Sequence, residues 1–228
     1  MLFVCTWLWG DKWPAKYVQR LFDAVDRNLV QDHYTVLITN QDIIEGDIIA
    51  PIDKRDWHLL NRPGCLVRMR MFDRRLQKHI GARVGDRIVN IDVDAVICGA
   101  LDPLFDRDDE FTIMQGFNTT NPCPFNGSLW MLRAGERFDV WDDFSWEAVQ
   151  RIPRHAIPDD QGWLHSKFPN AEAYTPKDGV YAFKKNTWPE GGLSRKLPDN
   201  ARVVAFPGRD PAKYAELDWI RRHWLDAA

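Results

Sequence analysis

Asp92-Val93-Asp94 is the residue pair on which any chemistry in this chain would turn. Side chains two apart in an extended strand project to the same side. Two carboxylates so placed, at the carboxyl end of a buried strand, offer an all-oxygen donor set. Such a set suits a hard divalent cation, Mn²⁺ or Mg²⁺, completed by water and a diphosphate. The cation would offset charge on a departing nucleoside diphosphate. The bare pattern carries little weight. The chain holds 26 Asp among its 33 acidic residues, and random placement alone gives about three D-x-D matches. Asp106-Arg107-Asp108 is a second match and reads as a solvated loop. Context separates the first. A strand-like run, Arg87 to Ile91, precedes it, and the apolar Ala95 to Cys98 follows. A carboxylate pair among such neighbours is costly to bury without a partner. Capping or ion pairing is the plainer alternative.

Other chemistries lack their residues. None of the six His pairs at helical ligand spacing, and Cys5, Cys65, Cys98 and Cys123 form no C-x-x-C, so a zinc site is disfavoured. No G-x-S-x-G elbow supports a serine hydrolase, and neither a Walker loop nor G-x-G-x-x-G is present. Thirty basic residues against 33 acidic ones leave a formal charge of −3, which argues against a nucleic-acid partner recruited by bulk positive charge.

The elements that must position Asp92 and Asp94 are readable from periodicity. With 45% hydrophobic and 28% charged residues over 228 positions, the chain has the balance of a globular protein with ample core. It shows no repeat and no Gly/Ser linker, so residues 1–228 are expected to form one domain. Leu2 to Leu8 reads as a buried strand. It is too short to span a membrane, and no other run approaches the ~20 apolar residues a span needs. Pro14 opens a helix whose apolar face is Val18, Leu21, Phe22, Val25 and Leu29. Tyr34 to Thr39 is a second strand, and 41–61 is turn-like. Leu66, Met69, Phe72, Leu76 and Ile80 mark one amphipathic helix ended by Gly81. Arg87 to Ile91, Phe111 to Gln115, Ser128 to Leu132 and Val203 to Phe206 are further strands. Helices are expected as one turn over 101–105, near 136–150, from Asp159 or Asp160 through Phe168, and from Pro211 to Leu225. The alternation predicts an α/β fold with a mixed, mostly parallel sheet between helices. The cysteines read as reduced thiols of a cytoplasmic protein.

The order of several segments resembles the nucleotide-sugar glycosyltransferases of GT-A fold, near the small bacterial relatives of the glycogenin and lipopolysaccharide galactosyltransferase group. The matching pieces are the opening strand Phe3 to Trp9, Gly64 to Phe72 with Arg68, and the D-x-D strand Ile88 to Ile97. They continue with Leu101-Asp-Pro-Leu-Phe105, Phe125-Asn126-Gly-Ser128-Leu-Trp130-Met131, Asp160-Gln161-Gly-Trp163-Leu164 and Phe206-Pro207-Gly208-Arg209. The resemblance runs over most of the chain. It implies a metal-dependent hexosyltransferase that moves sugar from a nucleoside-diphosphate sugar to a saccharide or other hydroxyl, with retention of anomeric configuration.

The same resemblance implies residue roles, each with a plainer alternative. Asp92 and Asp94 would hold Mn²⁺ or Mg²⁺, and Arg68 would meet the phosphates or else be a solvated helix residue. Asp160, with Gln161, would face the reacting sugar carbon, or Asp160 simply caps a helix. Asn126 and Ser128 would bond sugar hydroxyls, or form a turn. Thr6 and Trp7 would touch base and ribose, or belong to a core strand. Trp130 and Trp163 would floor an acceptor sugar, or be buried aromatics. One departure stands out: the family's late metal-ligating His is replaced by Pro207, which offers no side-chain ligand. That leaves room for a non-catalytic nucleotide- or carbohydrate-binding protein. A nucleotidyltransferase would also use paired Asp and a metal.

Overall fold

The computed structural model describes residues 1–117, 123–152, 158–184, 188 and 196–226. Its centre is β1 (Leu2–Leu8), in which all seven residues are buried. Phe3, Cys5 and Trp7 pack into one core and Leu2 and Val4 into another, on the opposite face. A strand covered on both faces reads as an unbroken apolar run, which is why the sequence shows one.

β1 pairs in parallel with β2 (His33–Thr39) on one side and β4 (Arg87–Ile91) on the other. Beyond β2 lies β3 (Ile48–Pro51). Beyond β4 the sheet continues through β7 (Phe125–Arg133), β6 (Phe111–Gln115) and β8 (Glu172–Tyr174), giving the order β3-β2-β1-β4-β7-β6-β8. β7 runs antiparallel to both of its neighbours, so the sheet is mixed. A second, three-stranded sheet joins β5 (Val96–Ile97), β10 (Val203–Ala205) and β9 (Val180–Ala182).

Helix α1 (Lys16–Asn28) buries Leu21, Ala24 and Val25 against the Leu2–Val4 face of the sheet. The helix starts two residues later than Pro14, with Ala15 at its N-cap, and the Pro14 carbonyl accepts from the Tyr17 N–H at 2.9 Å, so proline leads into the first turn and does not occupy it. The other face is covered by the 3-10 segment Leu66–Phe72, α3 (Arg74–His79), α5 (Asp139–Asp142), α6 (Trp146–Gln150) and α7 (Asp160–Lys167), with α2 (Trp57–Leu60) beside them and α4 (Asp102–Phe105) on the α1 side.

Three expected helices are interrupted, each for a local reason. The run from Leu66 to Ile80 breaks at Asp73, whose backbone is extended (φ −84°, ψ 127°) while its carboxylate caps α3 by accepting from the Arg75 N–H. The segment near 136–150 divides at Ser145, which is likewise extended and accepts from the Ala148 N–H. Short polar side chains that compete for backbone donors end helices in this way. The carboxyl-terminal run divides at Leu217, leaving 3-10 Pro211–Tyr214, α8 (Asp218–Ile220) and a π-turn, Arg221–Leu225. β3, β5, β8 and β9 are only two to four residues long, too short for a period to register. Among the described residues, no helix is long and apolar enough to cross a membrane.

Candidate active site

β1 and β4 are hydrogen-bonded only as far as Cys5 and Asn90. Past that point the strands separate, and the Thr6 hydroxyl donates to the Ile91 carbonyl at 2.8 Å, satisfying an acceptor the ladder no longer reaches. The gap opens a cleft of about 320 Å³ over the carboxyl ends of β1 and β4. Ligands of open α/β sheets bind at such strand ends.

Asp92-Val93-Asp94 lies at the mouth of this gap, as a turn and not as strand. The Asp92 N–H donates to the Ser128 carbonyl at 2.9 Å, and the Ala95 N–H closes the turn onto the Asp92 carbonyl at 2.9 Å. Strand alternation therefore does not explain why both carboxylates line one cleft; the turn does. Val93 is buried and anchors it from behind. Asp94 is only 8% exposed. Burial, and then the neighbouring charge of Asp92, push its pKa up to about 8, against the pull of Lys12. Among the described residues Asp94 has no ion-pair partner of its own. This carboxylate is short of positive charge.

The buried cation of the cleft is Arg68. Its Nη1 donates to Asp92 and, at 3.0 Å, to the Gly127 carbonyl; its Nη2 donates to Asp160. Burial works against its charge, but Asp160 and Asp92 outweigh that and raise its pKa. Arg68 is not the solvated helix residue of the plainer reading: it sits in the buried 3-10 segment behind the cleft, with its Nη atoms turned to Asp92, Gly127 and Asp160. Gly127 makes room for it: a Cβ there would come within 2.7 Å of Arg68 Nη2 and 2.8 Å of Asp160 Oδ2.

Asp160 is 2% exposed, and burial drives its pKa up to about 6 although Arg68 opposes this. It does not cap α7. That task falls to Asp159, which accepts from the Gly162 N–H at 2.7 Å. Asp160 is left facing the cleft, with Gln161 beside it. The Asn126 side-chain amide donates to Gln161 Oε1 at 3.2 Å, and Asn126 Oδ1 accepts from the Ser128 N–H at 3.0 Å. Asn126, Ser128, Asp160, Gln161, Arg68 and the two aspartates of the turn are therefore brought together.

Three expected residues take other places. Trp130 is fully buried and stacked on Phe72, with ring centroids 5.6 Å apart. Trp163 is 5% exposed and its indole N–H donates to the Val140 carbonyl at 2.8 Å. Neither ring has a face open to the cleft, because both point into the core under α5 to α7, so neither can floor a sugar. Thr6 is buried with its hydroxyl committed to Ile91, while Trp7 does reach the cleft wall. Lys12 and Trp13 line the cleft with no sequence signal to announce them. Gly127 lies inside the Phe125–Met131 segment with no spacing signal of its own.

Crystal structures of LgtC, a galactosyltransferase, are similar to this chain. An active-site glutamine-to-glutamate variant matches with a TM-score of 0.62, and the complex with donor and acceptor sugar analogues with 0.61. Each is 14% identical, and 94% of both chains is covered. Likeness at that identity shows the fold: the chain has the GT-A fold of LgtC. No protein-family model and no curated protein sequence matches the chain.

Proposed function

We propose that this protein is a metal-dependent glycosyltransferase that moves a hexosyl group from a nucleoside-diphosphate sugar to an acceptor hydroxyl. The observation that carries the proposal is the meeting, in one cleft at the ends of β1 and β4, of an uncompensated carboxylate (Asp94) with a neutralised one (Asp92) and the Arg68–Asp160 pair. The GT-A fold supports it by analogy alone.

The donor set fits a hard divalent cation: two oxygen-bearing side chains, one buried without a cationic partner. Among the described residues no third His, Cys, Asp or Glu joins them, so water and the diphosphate would complete the shell. Held by Asp92 and Asp94, Mn²⁺ or Mg²⁺ would supply the positive charge that offsets the leaving diphosphate. Arg68 holds Asp160 and Asp92 in place through the ion pairs it makes with both. Asp160 lends negative charge to the cationic sugar in the transition state, and Gln161 and Asn126 bond its hydroxyls. The acceptor oxygen forms a bond to the anomeric carbon as the bond from that carbon to the diphosphate breaks. The electron pair leaves with the nucleotide and the acceptor proton passes to the nucleotide or to solvent. Retention of configuration is the expected stereochemistry, read from the anomeric proton of the product by NMR.

Incubation with UDP- and GDP-sugars, Mn²⁺ and oligosaccharide acceptors tests the reading. Release of UDP or GDP supports it; formation of pyrophosphate would make the protein a nucleotidyltransferase. Binding without turnover would make it a non-catalytic binding protein, the reading favoured by Pro207 at the cleft wall, where no third ligand stands among the described residues. In the Asp94→Asn variant, Mn²⁺-dependent affinity for the nucleotide should fall on the order of a hundredfold by calorimetry. A variant that keeps the metal-dependent increment removes Asp94 from the site.

The pH profile offers a second check. Asp160 must be ionised to stabilise positive charge, and its pKa stands at about 6. The charged form is lost as pH falls through that value. kcat/KM should then fall about tenfold per unit on the acid side, and Asp160→Asn should abolish that limb together with most of the rate. An acid limb unchanged in Asp160→Asn assigns it to another group.

A further inference from the structure

We infer that Lys12 is a diphosphate-binding residue of the cleft, giving nucleotide affinity a component independent of metal. The inference rests on the proposed function, whose donor it describes.

The charges of the cleft explain why another cation is needed. Asp92, Asp94 and Asp160 face it. Arg68 is spent on Asp92 and Asp160. One guanidinium shared by two carboxylates leaves a negative charge over before Asp94 is counted, and a diphosphate entering the cleft meets it. Lys12 lines the same cleft and, among the described residues, makes no ion pair. It shares the wall of that cleft with Cys65 and Asp94. Nor is it simply a lysine hanging in solvent. Its Nζ lies 4.7 Å from the Trp13 ring centroid. Trp13 stacks on Tyr17 at 5.6 Å, and Tyr17 packs edge-on against Trp224 at 5.1 Å and donates to Asp210 at 2.7 Å. The loop between β1 and α1 is thus anchored by an aromatic stack that holds the ammonium over the cleft. A cation resting on a ring keeps its three donors available to phosphate oxygens.

Calorimetry on the full chain with UDP, GDP and UMP, in Mn²⁺ and in EDTA, tests this. The parent protein should bind UDP or GDP measurably in EDTA. Lys12→Gln should weaken that binding roughly tenfold, the worth of one charge-assisted bond, with a smaller loss for UMP than for UDP. Lys12→Arg should keep it. Since Lys12 is on the surface, Lys12→Gln should melt like the parent, which separates lost binding from lost folding. Equal affinity of Lys12→Gln and the parent in EDTA overturns the inference and leaves the proposed function standing. So does a parent that binds only with Mn²⁺. A parent that binds no diphosphate under either condition overturns both.

Discussion

Arg68→Met should lower stability by about 3–5 kcal/mol, the usual cost of removing one partner from a buried ion pair, and the melting temperature by roughly 10 °C for a chain of this size. Asp160 is 2% exposed and, among the described residues, pairs with no other cation. Without Arg68 its charge has nothing to offset desolvation, and the Gly127 carbonyl loses its donor from Nη1. Methionine fills much of the same volume, so the loss reports charge and not a cavity. The double variant Arg68→Met/Asp160→Asn should recover most of the melting temperature, because the asparagine is neutral and Asp92, at 30% side-chain exposure, remains partly hydrated. Arg68→Lys should fall between, since one ammonium on a flexible stem cannot reproduce a fork that reaches two carboxylates and a carbonyl. Melting curves read all three. An Arg68→Met protein that melts like its parent would show that the pair holds nothing together.

That interaction also shows where sequence reading stops. Arg68 meets Asp92 across 24 residues and Asp160 across 92. Nothing in local spacing indicates that these charges meet, so the sequence leaves Arg68 as either a phosphate contact or a solvated helix residue and does not show its ion pairs. The central strands were legible because burial on both faces writes a continuous apolar run; Leu2–Leu8, Arg87–Ile91 and Phe111–Gln115 stand where periodicity puts them. Helices failed where one capping side chain overrides the period, at Asp73 and Ser145. Indoles cannot declare which side of a sheet they face, so the sequence leaves Trp130 open between a sugar floor and a buried aromatic, and it fills the core. The turn at Asp92 to Asp94 gave the expected convergence through a different backbone, because a tight reversal can aim two side chains together as well as a strand can.

Gly64→Ala should impair the site more than its size suggests. Gly64 has φ +86°, a conformation that L-residues adopt at a cost of roughly 1–2 kcal/mol. A Cβ there would also lie 2.5 Å from Asp159 Cα and 2.9 Å from the Pro158 carbonyl oxygen. These are backbone atoms, so no side chain can swing away and the segments must separate, which adds about 1–3 kcal/mol. The displaced segment enters α7, and the Gly64 carbonyl accepts from the Asp160 N–H at 2.9 Å. Parting them shifts Asp160 and Gln161 relative to the Asp92–Asp94 turn. A misplacement near 1 Å at a reacting centre costs on the order of a hundredfold in rate. Gly81→Ala is the control: its φ is +83°, but nothing lies within 4 Å of the added carbon. It should lose only the conformational term in melting experiments and keep its turnover. Equal effects of the two substitutions would mean that the contact between Gly64 and α7 does not hold Asp160 in position.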